Sequence, residues 1–204
     1  LWELRRGVWT RHDQVMGFPS KRVNSLLELP GTEARSVILA GTSTAGVLVL
    51  RGPKWEVLPG SYHRWVWRLR WDPAVADRLW IATAKGVALW DLKGPWAART
   101  ACPAAASFEV SDVAWTLDSG GQRVTWLSLW GKGLARDEGD HLSFQGPETG
   151  LRSSNLTCLT AGPGPEGSET LWAASYNRGF YWRDRTGHWR ETEFQPGTHS
   201  RAVY

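Results

Sequence analysis

The sequence predicts an all-β fold of the β-propeller class. Its 204 residues include 15 Trp and 22 Gly, and large aromatic side chains combined with turn-forming glycine are typical of strand-rich domains. Four similar strand–turn–strand segments follow one another, beginning at Val37, Arg78, Val124 and Thr170. A glycine closes the turn in each, at positions 46, 86, 133 and 179. The spacing of 40 to 47 residues between these glycines is typical of propeller blades.

Two further elements recur in the same order around each of these segments. A short apolar strand precedes it, beginning at Val23, Trp65, Val110 and Asn155. A glycine followed by an aromatic residue marks an outer strand, at Gly7–Trp9, Gly52–Trp55, Gly94–Trp96 and Gly187–Trp189. In the third copy Phe144 takes the place of Trp. Each period therefore predicts four strands joined by tight turns, which is the composition of one antiparallel blade.

The repeats divide the chain into successive blades of one propeller domain. Residues 1–18 are expected to supply the last two strands of one blade, and residues 198–204 to begin another. Four blades lie between them, at about 19–61, 62–106, 107–151 and 152–197. Because the start supplies strands three and four while the end supplies only strand one, the partial blades do not complete each other. We therefore expect a fragment of a larger propeller.

Composition and spacing argue against several other classes of protein. Apolar residues make up 42% and charged residues 22%, an ordinary globular balance. The net charge of +4 is dispersed in Lys/Arg runs of at most two residues, so no nucleic-acid partner is expected. No apolar run reaches the roughly 18 residues of a membrane span, so membrane attachment would require a segment outside this chain. Cys102 and Cys158 have no metal-ligand spacing, and whether they form a disulfide stays open.

Most tryptophans are expected to pack between strands and blades. One set shares a position on the second strand: Trp80, Trp126 and Trp172, with Ile38 in the remaining copy. A second set shares a position on the outer strand and would clamp adjacent blades: Trp9, Trp55, Trp96 and Trp189. Burial of such rings suffices as a structural reason for both sets. Trp130 instead replaces a small or polar turn residue, which makes it a candidate for ligand contact.

Candidate ligand-binding residues gather on one face of the predicted propeller. That face is formed by the loops that lead into each blade and by the turns between second and third strands. Its candidate residues are Arg22, Tyr62, His63, Arg64, Lys85, Trp130, Lys132, Asn155, Tyr176, Asn177 and Arg178. Arginine pairs with carboxylate or sulfate, and aromatic rings offer a flat surface to a sugar ring. We expect an oligosaccharide or an anionic small ligand, the alternative being ordinary solvated loops.

The sequence does not predict a catalytic site. Hydrolysis of a glycosidic bond usually needs two carboxylates facing one cleft, and Glu109 is the one clear candidate on the binding face. Neither a Ser–His–Asp order nor a metal-ligand spacing is present. We therefore expect a chain that binds without catalysis, metal or cofactor. Two other interpretations stay open: a fragment of a propeller glycoside hydrolase, and a structural scaffold for protein partners.

Two lead-in segments resemble those of a known family. "GFPSKRVNSLLE" from Gly17 and "GLRSSNLTCLT" from Gly150 share a Gly–apolar–x–Ser opening and precede strand–glycine–strand units, of which "LWIATAKGVALW" from Leu79 is one. This pattern resembles the two-component regulator propeller repeat, in which G-L-P-S-N-x-V precedes L-W-I-G-T-x-x-G-L. The resemblance implies a periplasmic or extracellular sensor domain of a bacterial membrane receptor, ahead of a histidine kinase, a diguanylate cyclase or a DNA-binding output domain. It also implies oligosaccharide ligands and a receptor able to dimerise.

Overall fold

The computed structural model describes residues 1–13, 17–19, 22–29, 37–60, 62–92 and 98–192. Trp96 and the expected further blade at residues 198–204 lie outside this part of the chain. Within it, regular structure consists of β-strands and two short 3-10 helices, Pro103–Ala105 and Pro147–Thr149. The predicted all-β class is confirmed.

The described strands form one two-stranded and four four-stranded antiparallel sheets. In each four-stranded sheet the strands pair in chain order, as the repeat predicts. The two-stranded sheet contains β1 (Trp2–Arg5) and β2 (Val8–Arg11). Sheet I contains β3 (Val23–Leu29), β4 (Val37–Thr42), β5 (Val47–Arg51) and β6 (Lys54–Val57). Sheet II contains β7 (Val66–Trp71), β8 (Arg78–Thr83), β9 (Gly86–Asp91) and β10 (Arg99–Thr100). Sheet III contains β11 (Val110–Leu117), β12 (Arg123–Leu129), β13 (Gly133–Asp137) and β14 (Leu142–Gln145). Sheet IV contains β15 (Leu156–Pro163), β16 (Glu169–Ser175), β17 (Gly179–Arg183) and β18 (Trp189–Glu191).

The chain divides into two compact units. The N-terminal unit comprises residues 1–84 and 88–101, and the C-terminal unit comprises residues 85–87 and 102–204. The two-stranded sheet, sheet I and most of sheet II belong to the N-terminal unit. Sheets III and IV belong to the C-terminal unit.

The turns between second and third strands share one backbone hydrogen-bond frame. The residue after the second strand donates its N–H to the carbonyl that precedes the first strand of the same sheet. These bonds join Ser43 to Arg22 (3.3 Å), Ala84 to Trp65 (3.1 Å), Trp130 to Glu109 (2.9 Å) and Tyr176 to Asn155 (2.9 Å). The glycine that closes the turn donates to the next lead-in loop: Gly46 to Arg64 (2.8 Å), Gly86 to Phe108 (2.7 Å) and Gly133 to Ser154 (2.9 Å). The glycine spacing therefore identified these turns correctly.

Side chains at a bulge in the first strand bind the neighbouring sheet. In the C-terminal unit the register of β11 shifts between Val110 and Asp112, a feature that re-aims side chains. Oγ of Ser111 donates to the carbonyl oxygen of Leu156 at 2.7 Å. Oδ2 of Asp112 accepts the N–H of Leu159 at 2.9 Å. Two buried side chains of sheet III are thus bonded to the first strand of sheet IV.

The N-terminal unit contains the same arrangement between sheets I and II. β3 has a register shift between Val23 and Ser25. Nδ2 of Asn24 donates to the carbonyl oxygen of Val66 at 2.7 Å, and Oγ of Ser25 accepts the N–H of Leu69 at 3.1 Å. The bulge therefore serves the same linking role in both units, although the residues that occupy it differ.

Most of the predicted packing tryptophans are buried. Trp55, Trp80, Trp126 and Trp189 are at most 7% exposed, which confirms their expected role. Trp172 is only partly buried, and its Nε1 donates to the carbonyl oxygen of Pro163 at 3.1 Å. The expectation for Trp9 is wrong, since it is 63% exposed. Trp55, by contrast, packs edge-to-face against Phe18 and His12, with ring centroids 5.2 Å and 5.9 Å away.

The glycine that opens each lead-in segment has a structural reason. Gly17 and Gly150 have φ of +78° and +90°, a region that side chains with a β-carbon rarely adopt. A β-carbon on Gly17 would lie 2.5 Å from the carbonyl oxygen of Trp55. One on Gly150 would overlap the carbonyl oxygen of Trp189. Both lead-in segments therefore pass directly against the outer strand of the sheet that they precede.

Candidate functional site

Three of the predicted ligand-binding residues line one pocket in the N-terminal unit. The pocket has a volume of about 660 Å³, and its lining includes Tyr62, His63 and Arg64, the turn residues Thr44–Gly46 and the apolar stretch Val57–Gly60. Nε of Arg64 donates to the carbonyl oxygen of Thr44 at 3.2 Å. This bond fixes the lead-in loop of sheet II against the turn of sheet I.

Tyr62 has an unusual backbone conformation at this pocket. Its φ is +50°, which is uncommon for a residue other than glycine and tends to occur at functional sites. Its N–H donates to the carbonyl oxygen of Gly60 at 2.7 Å. Its hydroxyl lies 3.3 Å from Oγ1 of Thr100, and the residue is 36% exposed. The ring is thus held in place while part of it faces solvent.

Arg22, the remaining candidate of the N-terminal unit, lies against an aromatic ring. Its guanidinium carbon is 6.0 Å from the ring centroid of Trp67, at the outer limit of a cation–π contact. Arg22 also supplies the carbonyl that accepts the N–H of Ser43 at 3.3 Å. The backbone of this candidate therefore belongs to the turn frame.

Two predicted aromatic residues meet in the C-terminal unit. The ring centroids of Trp130 and Tyr176 are 5.8 Å apart, and the ring planes are inclined by 72° in an edge-to-face contact. The two residues occupy equivalent positions, directly after β12 and β16, and the turn frame holds the backbone of both. Trp130 is half-buried and Tyr176 is 42% exposed. The pair therefore presents aromatic surface to solvent at one edge of sheets III and IV.

Amide side chains surround this aromatic pair. Oδ1 of Asn155 accepts the N–H of Gly131 at 3.1 Å, and the backbone carbonyl of Asn155 accepts the N–H of Tyr176. Within the part of the chain that the structure describes, the Nδ2 group of Asn155 donates no hydrogen bond. Oδ1 of Asn177 accepts the hydroxyl of Ser175 at 3.2 Å. Asn155 thus joins the two turns and keeps two N–H donors for another acceptor.

A hydroxyl pair that the sequence did not single out supports this arrangement. The Oγ atoms of Ser153 and Ser175 lie 2.7 Å apart and are buried, and Oγ of Ser175 also accepts the backbone N–H of Arg178 at 3.2 Å. Ser153 is the serine of the lead-in segment that begins at Gly150. The Gly–apolar–x–Ser motif of this segment was the sequence signal that could have identified Ser153.

Three predicted cations lie on the turns of the C-terminal unit. Lys85, Lys132 and Arg178 each directly precede the glycine that closes a turn, and all three are exposed. The turns that carry Trp130 and Tyr176 therefore also carry Lys132 and Arg178. This arrangement places positive charge on the same turns as the aromatic pair.

Across the described ranges, no group of three or more His, Cys, Asp and Glu side chains could hold a metal ion. Cys102 and Cys158 are both free thiols. Burial raises the pKa of Cys102 to about 11, and the nearby carboxylate of Asp137 contributes, so its reactive thiolate form is disfavoured. Among the described residues, no helix is both long and apolar enough to cross a membrane.

Several solved structures resemble the chain in fold. An extracellular domain of a protein described as a one-component system, BT4673 from B. thetaiotaomicron, aligns with a TM-score of 0.62 at 13% identity over 91% of this chain and 23% of that one. PorZ, a surface component of the type-IX secretion system of Porphyromonas gingivalis, aligns with a TM-score of 0.56 at 15% identity over 90% and 24%. The fold is that of a β-propeller. An ancestral GH74 enzyme aligns with a TM-score of 0.55 at 17% identity over 83% and 27%.

At such low sequence identity, these similarities show a shared propeller fold and no shared function. The chain spans only about a quarter of the length of each of these proteins. No family model matches the chain, and no curated protein matches its sequence. Since a propeller hosts unrelated functions, functional inference has to rest on the residues of the site.

Proposed function

We propose that this chain is part of the extracytoplasmic, ligand-sensing propeller of a bacterial membrane signalling receptor. It binds an oligosaccharide, or another polar or anionic ligand, and performs no catalysis. The observation that carries this proposal is the edge-to-face pair of Trp130 and Tyr176, which is partly exposed on neighbouring turns of sheets III and IV. The receptor role is further supported by the lead-in segments and by the fold shared with a sensor's extracellular domain.

The turn frame does not itself require aromatic side chains at these positions. Ser43 and Ala84 occupy the equivalent positions and make the same backbone hydrogen bond. The large rings of Trp130 and Tyr176 are therefore additions to a frame that forms without them, and they remain partly exposed. Exposed Trp and Tyr supply rigid contact area at low cost in conformational entropy.

The surrounding groups match the chemistry of a hydroxylated and acidic ligand. An aromatic face packs against the C–H face of a sugar ring, while the free N–H groups of Asn155 can donate to hydroxyl oxygens. Lys132 and Arg178 can pair with carboxylate or sulfate. Glycoside hydrolysis would instead call for two carboxylates across the bond, whereas the groups around the pair are aromatic, amide and cationic. The chain nevertheless resembles a GH74 enzyme in fold, so the experiments also test for hydrolysis.

The test is isothermal titration of the chain with three oligosaccharide sets: sulfated, uronate-containing and neutral. The Trp130→Ser variant adopts the residue found at the equivalent position 43. We expect it to weaken binding about ten- to thirtyfold, as for the loss of a central aromatic contact. Phe144→Ala is the matched control, because Phe144 is 46% exposed and its ring packs against Phe108, at 5.9 Å between centroids, and not against the Trp130–Tyr176 pair. Equal affinity of wild type and Trp130→Ser, or no binding of any set, would refute the proposal.

Product analysis of the same mixtures separates binding from catalysis. A non-catalytic sensor leaves every oligosaccharide intact over hours. Release of new reducing ends by the wild type, absent in a heat-denatured sample, would assign the chain to the hydrolases instead.

A further inference from the structure

A cleft lies in the C-terminal unit at the opposite edge of sheets III and IV from the Trp130–Tyr176 pair. It is formed by the turn between β11 and β12, the start of β16 and the end of β17, and has a volume of about 370 Å³. That volume is within the range of about 300–1,000 Å³ for small-molecule sites. Its lining includes Asp118, Trp126, Arg136, Glu169 and Arg183.

Arg183 is a half-buried cation within this cleft. Its guanidinium carbon lies 5.3 Å from the ring centroid of Trp126, which is itself 3% exposed. Its Nε atom is buried and donates no hydrogen bond to any residue that the structure describes. Burial lowers the pKa of Arg183, and the positive charge of Arg136 adds to the effect. A guanidinium in such a position is costly unless an anion accepts its hydrogen bonds.

Most of the nearby carboxylates are already committed to other groups. Asp184 pairs with Nε of Arg190 at 2.8 Å and accepts hydrogen bonds from its own turn. Asp118 accepts two backbone N–H groups of its turn. Glu138 lies 2.9 Å from Nε of Arg136. Glu169 remains at the rim, exposed and without an ion pair among the described residues.

We infer that this cleft binds a small carboxylate with a body about the size of one sugar ring, and that Arg183 is the counterion of its carboxylate group. The two terminal nitrogens of the planar guanidinium form a fork that matches the two oxygens of a carboxylate. Contact with Trp126 holds this fork in a fixed orientation. The site is separate in residues and in sheet edge from the aromatic pair, so the inference does not rest on the proposed function.

The test compares D-glucuronate with D-glucose, which differ in the carboxylate. Isothermal titration of the chain should show saturable binding of glucuronate and none of glucose. Arg183→Gln should weaken glucuronate binding at least tenfold, as for loss of a charged hydrogen bond. Arg183→Lys, which keeps the charge but lacks the fork, should fall between the two. Arg5→Gln is the matched control, because it removes the same charge at an exposed position on β1 in the N-terminal unit, outside both candidate sites.

A second variant decides the outcome if Arg183→Gln fails to fold. Glu169→Gln removes the rim carboxylate that competes with the ligand, so it should tighten glucuronate binding severalfold. Unchanged glucuronate affinity in Glu169→Gln, with a lowered melting temperature, would show that Glu169 is the internal partner of Arg183 and would overturn the inference. Equal binding of glucose and glucuronate, or no binding of either, would overturn it too. Because Trp130→Ser leaves this cleft intact, failure here is distinguishable from failure of the proposed function.

Discussion

Replacing Asp112 should weaken the contact between sheets III and IV more than any other single polar substitution at the bulge. Asp112 is completely buried. Its Oδ1 accepts the N–H of Val113 at 2.9 Å and its Oδ2 accepts the N–H of Leu159 at 2.9 Å. Both donors belong to fully buried residues. In Asp112→Ala both backbone N–H groups lose the carboxylate oxygen that accepts them in this buried position.

The magnitude follows from these two donors. A buried N–H left without an acceptor costs about 1–3 kcal/mol, so Asp112→Ala should lower the free energy of unfolding by about 2–6 kcal/mol. Asp112→Asn keeps one carbonyl oxygen and turns an NH₂ group toward the other donor, so about half of that loss is expected. Ser111→Ala is the neutral comparison. It removes the hydroxyl that donates to Leu156 and lies 2.8 Å from Oγ of Ser128, and it should cost about 0.5–1.5 kcal/mol.

Two measurements check this order. Urea unfolding at neutral pH, followed by tryptophan fluorescence, gives the free energy of unfolding for the wild type and the three variants. Amide hydrogen exchange on a peptide containing Leu159 tests the location, because its N–H should lose protection in Asp112→Ala. If Asp112→Ala changes stability by less than about 1 kcal/mol, or if Leu159 stays protected, the carboxylate does not link the sheets as described.

Three further predictions concern other positions of the repeat. Ser25→Ala should cost about 1–3 kcal/mol in urea unfolding, because Leu69 then lacks an acceptor; no change would mean that water replaces the hydroxyl. Gly150→Ala should prevent stable folding of sheet IV, measured as lost exchange protection, because its β-carbon would overlap the carbonyl oxygen of Trp189, whereas Gly139→Ala, at a glycine with positive φ but open space, should be milder. The pKa of Asp184 lies well below its usual range because Thr186, His188 and Arg190 donate to it; its stabilisation is therefore complete above about pH 4 and is lost as pH falls toward the folded pKa. The difference in unfolding free energy between wild type and Asp184→Asn should accordingly shrink as the pH falls from about 4 to about 2.5, and a constant difference would contradict it.

The sequence revealed the strands and turns because their signals are local. A glycine closes each turn shortly after an apolar run, and the repeated strand position predicts the burial of Trp80 and Trp126, although Trp172 at the same position is only partly buried. Trp9 has the same local pattern as Trp55 and Trp189, yet it is exposed. Burial of Trp55 depends on Phe18 and His12, which lie far from it in the chain and are not part of the local pattern.

The links between sheets were hidden for a different reason. Ser25 and Asp112 have the same role, but they share no obvious chemistry beyond an acceptor oxygen, and their partners lie 44 and 47 residues away. The cleft at Arg183 could not be predicted because the residue at the position of Arg183 differs in charge from sheet to sheet. The last residue of each third strand is Arg51, Asp91, Asp137 and Arg183. A search for repeated residues does not detect such a position, because its residues differ between sheets. The change in the sign of the charge can nevertheless give one sheet edge different binding properties from the next.

The same reasoning separates the residues of the frame from those that can carry function. At the position after each second strand, the backbone bond is constant while the side chain changes from Ser43 and Ala84 to Trp130 and Tyr176. A side chain that the frame required would be expected to have similar size in all four turns. The aromatic residues instead occur in two adjacent turns, contact each other and remain partly exposed. Function on a repeated fold is therefore best sought where the backbone geometry is shared and the side chains are not, and in this chain that criterion selects the Trp130–Tyr176 pair.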